Sequence, residues 1–405
     1  MGTQTTLETF LVDKAFLSEL RTFYRSQLFD DVIPFWLAHA RDRRCGGYVT
    51  CLGRDGSPYD WTKVCMWNSG RIIWAFSRFY NDLDQNAEWL DMARHGVEFV
   101  VRHGFAPDGR MYYSLDRDGR PLETSQDVFT ELFHVAGFSE YARAVGDEAL
   151  ARRAWRMFCD VWQRLQTPGG ANQPLIAETV PVRMFGHALI CLNVLDELRR
   201  WNTVGEIDDM VDRCLGWILD HHTRPDRLAA FELVGWDGRP VPGHWGRWLN
   251  PGHMIEAGIF VIHEAQHRHD QQLVRRGLQL IDWGFKWGWD EQFGGLYNDV
   301  DVEGKPIPVA RVYLAQSKLW WQHAEALYGL LLAYTLTDDD RFRRAYQLVH
   351  DYSFSRFADP EQGEWFALLD RRGMRINDTK GTSRKSIFHL GRNFYYCCRL
   401  LDRLQ

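Results

Sequence analysis

Apolar residues recur at helical spacing along most of the chain. In residues 67–80 they fall at Ile72, Ile73, Phe76 and Phe79, a separation of three or four positions that is typical of an amphipathic helix. The same period predicts four further helices, at residues 127–144, 186–198, 254–265 and 324–335. We therefore expect a mainly helical protein.

The predicted helices fall into two classes. Residues 188–192 and 326–332 are apolar over most of the helix circumference, which indicates burial on two sides. Residues 147–163 and 339–351 have one polar face and one apolar face, which suits a helix at the surface. This contrast predicts an inner layer and an outer layer of helices.

A turn motif recurs between the helices. A glycine-bearing bend leads into an aromatic-rich run, which closes on a polar turn ending in glycine. The closing glycines are about 60 to 70 residues apart, except for one gap of about twice that length. A degenerate copy at Thr167-Pro168-Gly169-Gly170 lies near the middle of that gap, so six repeats are expected. The five clear copies close at Gly56, Gly119, Gly238, Gly304 and Gly373.

The turn segments are predicted to form short antiparallel strands, for example at residues 48–52 and 365–369. Six inner helices, six outer helices and hairpins gathered at one end predict an all-α fold, an (α/α)6 barrel. An open helical solenoid is the alternative. No linker rich in Pro, Gly or Ser divides residues 1–405, so we expect one domain.

Composition narrows the class of protein. The 405 residues include 18 Trp, 15 Tyr and 24 Phe, and aromatic walls suit the apolar faces of sugars, although the same residues would equally suit a core. The net charge is −6 and the basic residues are scattered, so nucleic acid is not expected as a partner. Neither a secretory signal nor an apolar run long enough to span a membrane is present. The eight cysteines lack disulfide-framework spacing, which favours a cytoplasmic location.

Polar residues stand where several inner helices are expected to begin. Asn250-Pro251-Gly252 predicts a helix starting at about His253, with Glu256 on the same face. A histidine at a helix N-terminus tends to be neutral, because the helix dipole disfavours a second positive charge there, and it can act as a base.

Three other helix starts carry a polar residue. His389 precedes an apolar run and shares a face with Arg392, Arg71 heads the first inner helix, and Glu325 heads another. Each of these residues could instead pack or cap its own helix. The starts of inner helices converge on one cavity, however, so together they indicate a site.

One motif points elsewhere. His263-Glu264-Ala265-Gln266-His267 matches the H-E-x-x-H helix of zinc proteases. No metzincin continuation follows, and a third ligand such as Glu291 has no support, so we expect no metal. The chain also lacks a phosphate-binding loop and a nucleophile elbow, and we expect no cofactor.

Five motifs between about residues 28 and 401 match the pattern of a known family. They are Gly46-Gly47-Tyr48-Val49-Thr50-Cys51-Leu52, Asn250-Pro251-Gly252-His253 with Glu256-Ala257, Leu319-Trp320-Trp321 with His323 and Glu325, Phe357-Ala358-Asp359-Pro360 with Gly363-Glu364-Trp365-Phe366, and Phe388-His389 with Arg392. In these residues the chain resembles the N-acylglucosamine 2-epimerase family, which includes cellobiose and mannose 2-epimerases and aldose–ketose isomerases. The resemblance implies an (α/α)6 barrel.

The resemblance also implies cofactor-free proton transfer at C2 of an open-chain sugar, through an enediolate. By position, His253 and His389 would be the acid/base pair, and Arg71 would stabilise the enediolate oxygen. Glu256 and Glu325 would orient or tune the imidazoles. The residues expected to shape the sugar pocket are His187, Arg247, Trp320, Trp321, Lys385 and Arg392.

The chain departs from the family pattern at two places. Isomerases and cellobiose-type members carry a histidine where this chain has Leu189, and His187 stands two residues earlier. The N-acetylglucosamine-type enzymes have a tryptophan where this chain has Arg384, which puts an N-acyl substrate in question. Arg384 would suit an anionic sugar, or it is a solvated loop residue.

Three functions stay open at this point. The first is a sugar 2-epimerase, with aldose–ketose isomerisation as its variant when the proton is delivered at C1. The second is a glycosidase on the same barrel, for which Glu256 and Glu325 would be the carboxylate pair. The third is a non-catalytic binding protein, against which the intact set of polar residues argues. A homodimer is suggested by the resemblance alone.

Overall fold

The chain forms two concentric layers of helices. The computed structural model describes residues 14–125, 127–170, 175–176, 180–201, 207–305, 307 and 312–404. The inner layer consists of the helices Met66–Asp82, Phe129–Val145, Phe185–Arg199, Pro251–Arg268, Trp320–Thr337 and Phe388–Arg403. These include all the apolar helices expected from the sequence, with ends that differ by one to four residues from the predicted ones.

The outer layer wraps this ring and buries one face of each helix. It consists of Ala87–His103, Glu148–Leu165, Ile207–Gly216 continued by Trp217–His222, Gln271–Gly288, Asp340–Arg356, and Lys14–Ser26 continued by Gln27–Val32 and Ile33–His39. Trp320–Thr337 is buried along nearly its whole length, whereas Glu148–Leu165 alternates buried and exposed positions. The predicted division into inner and outer helices is confirmed.

The ring is closed. Each inner helix packs against the next, and the last, Phe388–Arg403, packs against the first, Met66–Asp82. Polar contacts join the two ends of the chain as well: Arg54 Nε lies 2.8 Å from Asp359 Oδ2, and Trp36 Nε1 donates to Glu364 Oε1 at 3.4 Å. The structure is therefore an (α/α)6 barrel, and the open-solenoid alternative is wrong.

Short strands cover one end of the barrel. Val64–Cys65, which leads into the first inner helix, pairs with Tyr112–Leu115 of the next repeat. Lys318–Leu319, which leads into the fifth, pairs in the same way with Leu368–Leu369. Each pairing fixes the start of an inner helix against the following hairpin. The other strands are Pro121–Thr124, Leu175–Ile176, Val180–Met184, Thr223–Arg224, Ala229–Ala230, Leu233–Gly235, Trp248–Leu249, Val300–Asp301 and Arg375–Asn377.

The strand predicted at residues 48–52 is wrong. Only isolated bridges form there, at Tyr48 and Leu52. The reason is that its backbone bonds two different segments: Val49 N–H donates to Ala40 and Leu52 N–H donates to Gly381. The strand predicted at residues 365–369 shortens to Leu368–Leu369.

The closing turn of each repeat requires glycine. The five closing glycines have φ between 70° and 86°, a left-handed conformation that only glycine adopts without a Cβ penalty. In the degenerate copy Gly169 has φ 76°, and the residues that follow it, 171–174, lie outside the described part.

Buried charges fill the barrel at the end opposite the strands. Arg78 contacts Glu197 and lies 3.4 Å from Glu140, and all three side chains are almost fully buried. Asp82 accepts from Tyr395 Oη at 2.6 Å. No helix among the described residues has the length and apolar character needed to cross a bilayer.

Candidate active site

The polar residues predicted at the helix starts come together at the strand-covered end of the barrel. Arg71, His253, Glu325 and His389 lie in the first two turns of four different inner helices. The indole of Trp321 contacts both imidazoles, with its ring centre 5.3 Å from that of His253 and 5.4 Å from that of His389. The two histidines therefore flank one aromatic side chain.

His253 is held by a carboxylate. Its Nδ1 lies 2.9 Å from Glu232 Oε1, its backbone N–H is capped by the Asn250 side chain, and its own side chain is 30% exposed. Burial lowers the pKa of His253, but the charge of Glu232 and the hydrogen bond to it outweigh burial and raise that pKa to about 9. The expectation that the helix dipole keeps His253 neutral is therefore wrong.

His389 has the opposite bias. Its Nδ1 lies 2.7 Å from Glu325 Oε1, and its side chain is 9% exposed. Burial and the positive charge of Arg71 hold the pKa of His389 well below its usual range. At neutral pH His253 is thus a protonated imidazolium and His389 is a neutral imidazole. This is the arrangement expected of an acid facing a base.

The ion pair with Arg392 explains why the Glu325 carboxylate does not raise the pKa of His389. The fully buried guanidinium donates from one nitrogen to Glu256 Oε1 at 2.6 Å and to Glu325 Oε1 at 2.5 Å. Asn393 Nδ2 donates to the same oxygen of Glu325 at 2.8 Å. Ligand atoms of Glu256, Glu325 and His389 lie within 4.8 Å of one another, but the Arg392 cation is already paired with both carboxylates.

Arg71 rests on aromatic rings, and within the described ranges it forms no ion pair with a carboxylate. Its guanidinium carbon lies 4.0 Å from the ring centre of Phe133 and 4.9 Å from that of Phe388. Among the described residues its hydrogen bond goes to the Arg384 carbonyl at 3.2 Å, while its buried Nε is unpaired. Burial lowers the pKa of Arg71 to about 9. Its unused donors suit an oxygen that gains negative charge.

The pocket-shaping residues expected from the sequence are placed unequally. Trp321 is half-buried beside both imidazoles, while Trp320 is buried with its ring centre 6.4 Å from that of His389. Lys385 is fully buried with its ammonium group on Glu364, so in this arrangement it has no surface with which to touch a sugar. The same holds for the fully buried Arg392.

Two further expected residues have contacts with other parts of the protein. Arg247 is 21% exposed and pairs with Asp301 at 2.9 Å. His187 lines a small cavity of about 10 Å³ together with Trp217 of the outer layer, and burial lowers its pKa to about 4. The residue before it, Gly186, is the one that approaches His253.

Protein contacts account for the H-E-x-x-H segment. Glu264 is paired with Arg199 at 2.7 Å and with Arg268 at 2.5 Å, and His263 Nε2 lies 2.8 Å from Tyr328 Oη. His267 is exposed. With its carboxylate held by two arginines, the segment lacks the free base that a zinc protease needs.

Sequence reasoning missed two residues that hold the histidines. Glu232 interrupts the apolar run Phe231-Glu232-Leu233-Val234, and a buried carboxylate needs a partner, which was the available signal. Asn393 stands within the last inner helix, and spacing from His389 could have placed it on the same face.

Known proteins are similar to this chain in sequence and in fold. A family model described as N-acylglucosamine 2-epimerase (GlcNAc 2-epimerase) matches residues 47–392. N-acylglucosamine 2-epimerase of Bos taurus is 34% identical over 384 residues, which cover 93% of this chain and 90% of that protein. Cellobiose 2-epimerase of Dictyoglomus turgidum is 22% identical over 412 residues, covering 96% and 100%.

The solved structure of cellobiose 2-epimerase from Spirochaeta thermophila superposes with a TM-score of 0.81 at 21% identity, covering 99% of this chain and 100% of that one. This likeness supports the closed double ring. The match of the family model over most of the chain, together with the relative at 34% identity, shows that the protein belongs to the N-acylglucosamine 2-epimerase family.

Proposed function

We propose that the protein is a sugar 2-epimerase that acts on the open-chain form of an aldose or N-acylhexosamine. The observation that carries this proposal is the pair of imidazoles on one indole, His253 and His389, whose pKa values are shifted in opposite directions. A neutral base and a protonated acid on two sides of one carbon are what inversion of that carbon requires.

In the proposed reaction, His389 takes the C2 proton, and the electron pair of the C–H bond moves into the enediolate. Arg71, which has no carboxylate partner among the described residues, stabilises the negative oxygen. His253 then gives its proton to the opposite face of C2. The product is the C2 epimer. His389 now holds the proton and His253 is neutral, so the same site acts on the other epimer with the two roles reversed.

A second outcome uses the same base. If the returned proton goes to C1 instead of C2, the enediolate becomes a ketose, and the protein is an aldose–ketose isomerase. The two outcomes give different products, the C2 epimer or the ketose, so identifying the product separates them.

The glycosidase alternative has weaker support. A glycosidase needs one carboxylic acid and one free carboxylate on either side of the scissile bond. Here Glu256 and Glu325 share the guanidinium of Arg392, and both are buried.

The test is exchange with heavy water. Candidate aldoses and N-acylhexosamines are incubated with the protein in D2O, and the C2 proton signal is followed by NMR. We expect deuterium at C2 and formation of the epimer, both lost in His389→Ala. The exposed His267→Ala is the matched control and should keep both. Absence of exchange with every sugar, or exchange that survives His389→Ala, would contradict the proposal.

We also propose a cytoplasmic location and a homodimer. The unbridged thiols of Cys397 and Cys398 suit a reducing compartment. The dimer rests on the resemblance alone, and sedimentation of the purified protein tests it. The reaction as proposed uses only side chains of this chain, with no cofactor and no nucleic acid.

A further inference from the structure

Arg384 is an exposed arginine at the barrel mouth. Its backbone N–H donates to the Thr382 hydroxyl, and its guanidinium carbon lies 5.9 Å from the ring centre of Trp67. Within the described ranges no carboxylate lies within ion-pair distance of it. Several other exposed arginines do pair with an acid, as Arg120 does with Asp116 at 3.6 Å.

The backbone that presents Arg384 is firmly held. The hydroxyl of Thr382 accepts from the N–H groups of both Arg384 and Lys385, at 3.1 Å and 3.0 Å. The buried Lys385 ammonium bonds Glu364, and Asn68 Nδ2 donates to the Lys385 carbonyl at 3.4 Å. These contacts anchor the turn on both sides of Arg384, whose own side chain is exposed.

Arg384 is also tied to the reacting end of the pocket. Its carbonyl accepts from Arg71, and the guanidinium carbon of Arg71 lies 5.2 Å from the same Trp67 ring that Arg384 approaches. Burial raises the pKa of the half-buried Asp127 and Arg384 acts to lower it, and the same carboxyl also accepts from the Phe129 N–H at 2.9 Å. Two guanidinium groups thus border one indole.

We propose that Arg384 binds an anionic group on the substrate, a carboxylate or phosphate ester carried by the sugar away from C2. This inference rests on the proposed 2-epimerase function and narrows its substrate class to sugars that carry an anionic group. Arg71 and Arg384 both lie near the Trp67 ring. If the enediolate oxygen of a sugar contacts Arg71, a substituent that extends along this ring therefore approaches the guanidinium donors of Arg384. Guanidinium groups recognise carboxylates and phosphates through paired, charge-assisted hydrogen bonds.

Matched sugars that differ in whether C6 carries an anionic group test the inference. Mannose is compared with mannuronate, and N-acetylmannosamine with its 6-phosphate, by calorimetric binding and by C2 exchange in D2O. We expect the wild type to favour the acidic member of a pair by about 10- to 100-fold, the gain of one charged hydrogen-bonded contact. Arg384→Met should remove that preference and leave the neutral sugar unchanged, and Arg384→Lys should restore part of it. Arg120→Met, an exposed arginine on another hairpin, should change neither.

The result that would overturn the inference is equal binding of charged and neutral members, or a loss in Arg384→Met that is the same for both. Binding is measured apart from turnover. Failure of exchange with every sugar therefore counts against the proposed function, whereas binding without charge preference counts against Arg384 alone.

Discussion

Replacing Glu232 by Gln tests whether a single carboxylate sets the working pH of the site. The amide keeps the size of the side chain and an oxygen for the Nδ1–H of His253, but it removes the negative charge that lies 2.9 Å away. The pKa of His253 is raised to about 9 largely by that charge. Without it, burial is the main remaining influence and lowers the pKa, so we expect a value at or below the ordinary 6.5.

The change in activity follows from the protonated fraction. Both directions of the reaction need one histidine of the pair protonated and the other neutral. The plot of kcat/KM against pH should therefore have the same bell shape for either epimer. Its alkaline limb reports loss of the His253 proton. At pH 8, a pKa of about 9 leaves about nine-tenths of His253 protonated, whereas 6.5 leaves about 3%, a difference of about 30-fold. The variant should therefore lose about 30-fold in kcat/KM at pH 8 and recover as the pH falls.

The assay is the initial rate of epimer formation between pH 5 and 10, measured from both epimers. Glu264→Gln is the control, because it removes a buried carboxylate from the far end of the helix that carries His253. Its alkaline limb should stay where the wild type has it. A uniform loss of activity in Glu232→Gln, with the alkaline limb unmoved, would refute the proposed role of Glu232.

Three other substitutions test the site and the frame. Arg71→Lys should lower kcat by about 100-fold with little change in KM, because it removes donors used only when the enediolate forms; steady-state rates check this. Arg78→Leu should lower the free energy of unfolding by about 3–5 kcal/mol in urea titrations, because it leaves Glu197 buried without its cation. Gly47→Ala should cost at least about 1–2 kcal/mol in the same measurement, since φ is 68° there and the new Cβ would meet the Phe99 ring at 2.8 Å.

The helical frame could be predicted because its signals are local and repeated. The period of apolar residues located the inner helices, and the closing glycines counted the repeats even where one copy had decayed. Closure could not be derived in this way. It depends on contacts such as Arg54 with Asp359, which join residues from opposite ends of the chain. No spacing rule relates such residues.

The positions of the site residues could be predicted from the sequence better than their protonation states. Helix starts pointed to His253 and His389, but their protonation depends on carboxylates from other elements: Glu232 on a hairpin, and Glu325 already neutralised by Arg392. Sequence gives the residue type at each position, whereas the pKa of an imidazole depends on which charges surround it in space. The same limit applies to Lys385, whose placement in a buried ion pair could not be foreseen from its neighbours in the chain.

The distribution of the site over several repeats has an evolutionary consequence. The proposed base, the proposed acid and the arginine proposed to hold the enediolate each lie at the start of a different inner helix, and the neighbouring repeat's hairpin fixes where such helices start. A single repeat carries only one of these three residues, so the proposed chemistry needs several repeats joined in one ring. Mutation of one hairpin could therefore re-aim one side chain and alter which sugar is accepted, while the proposed proton-transfer groups on the other repeats stay intact.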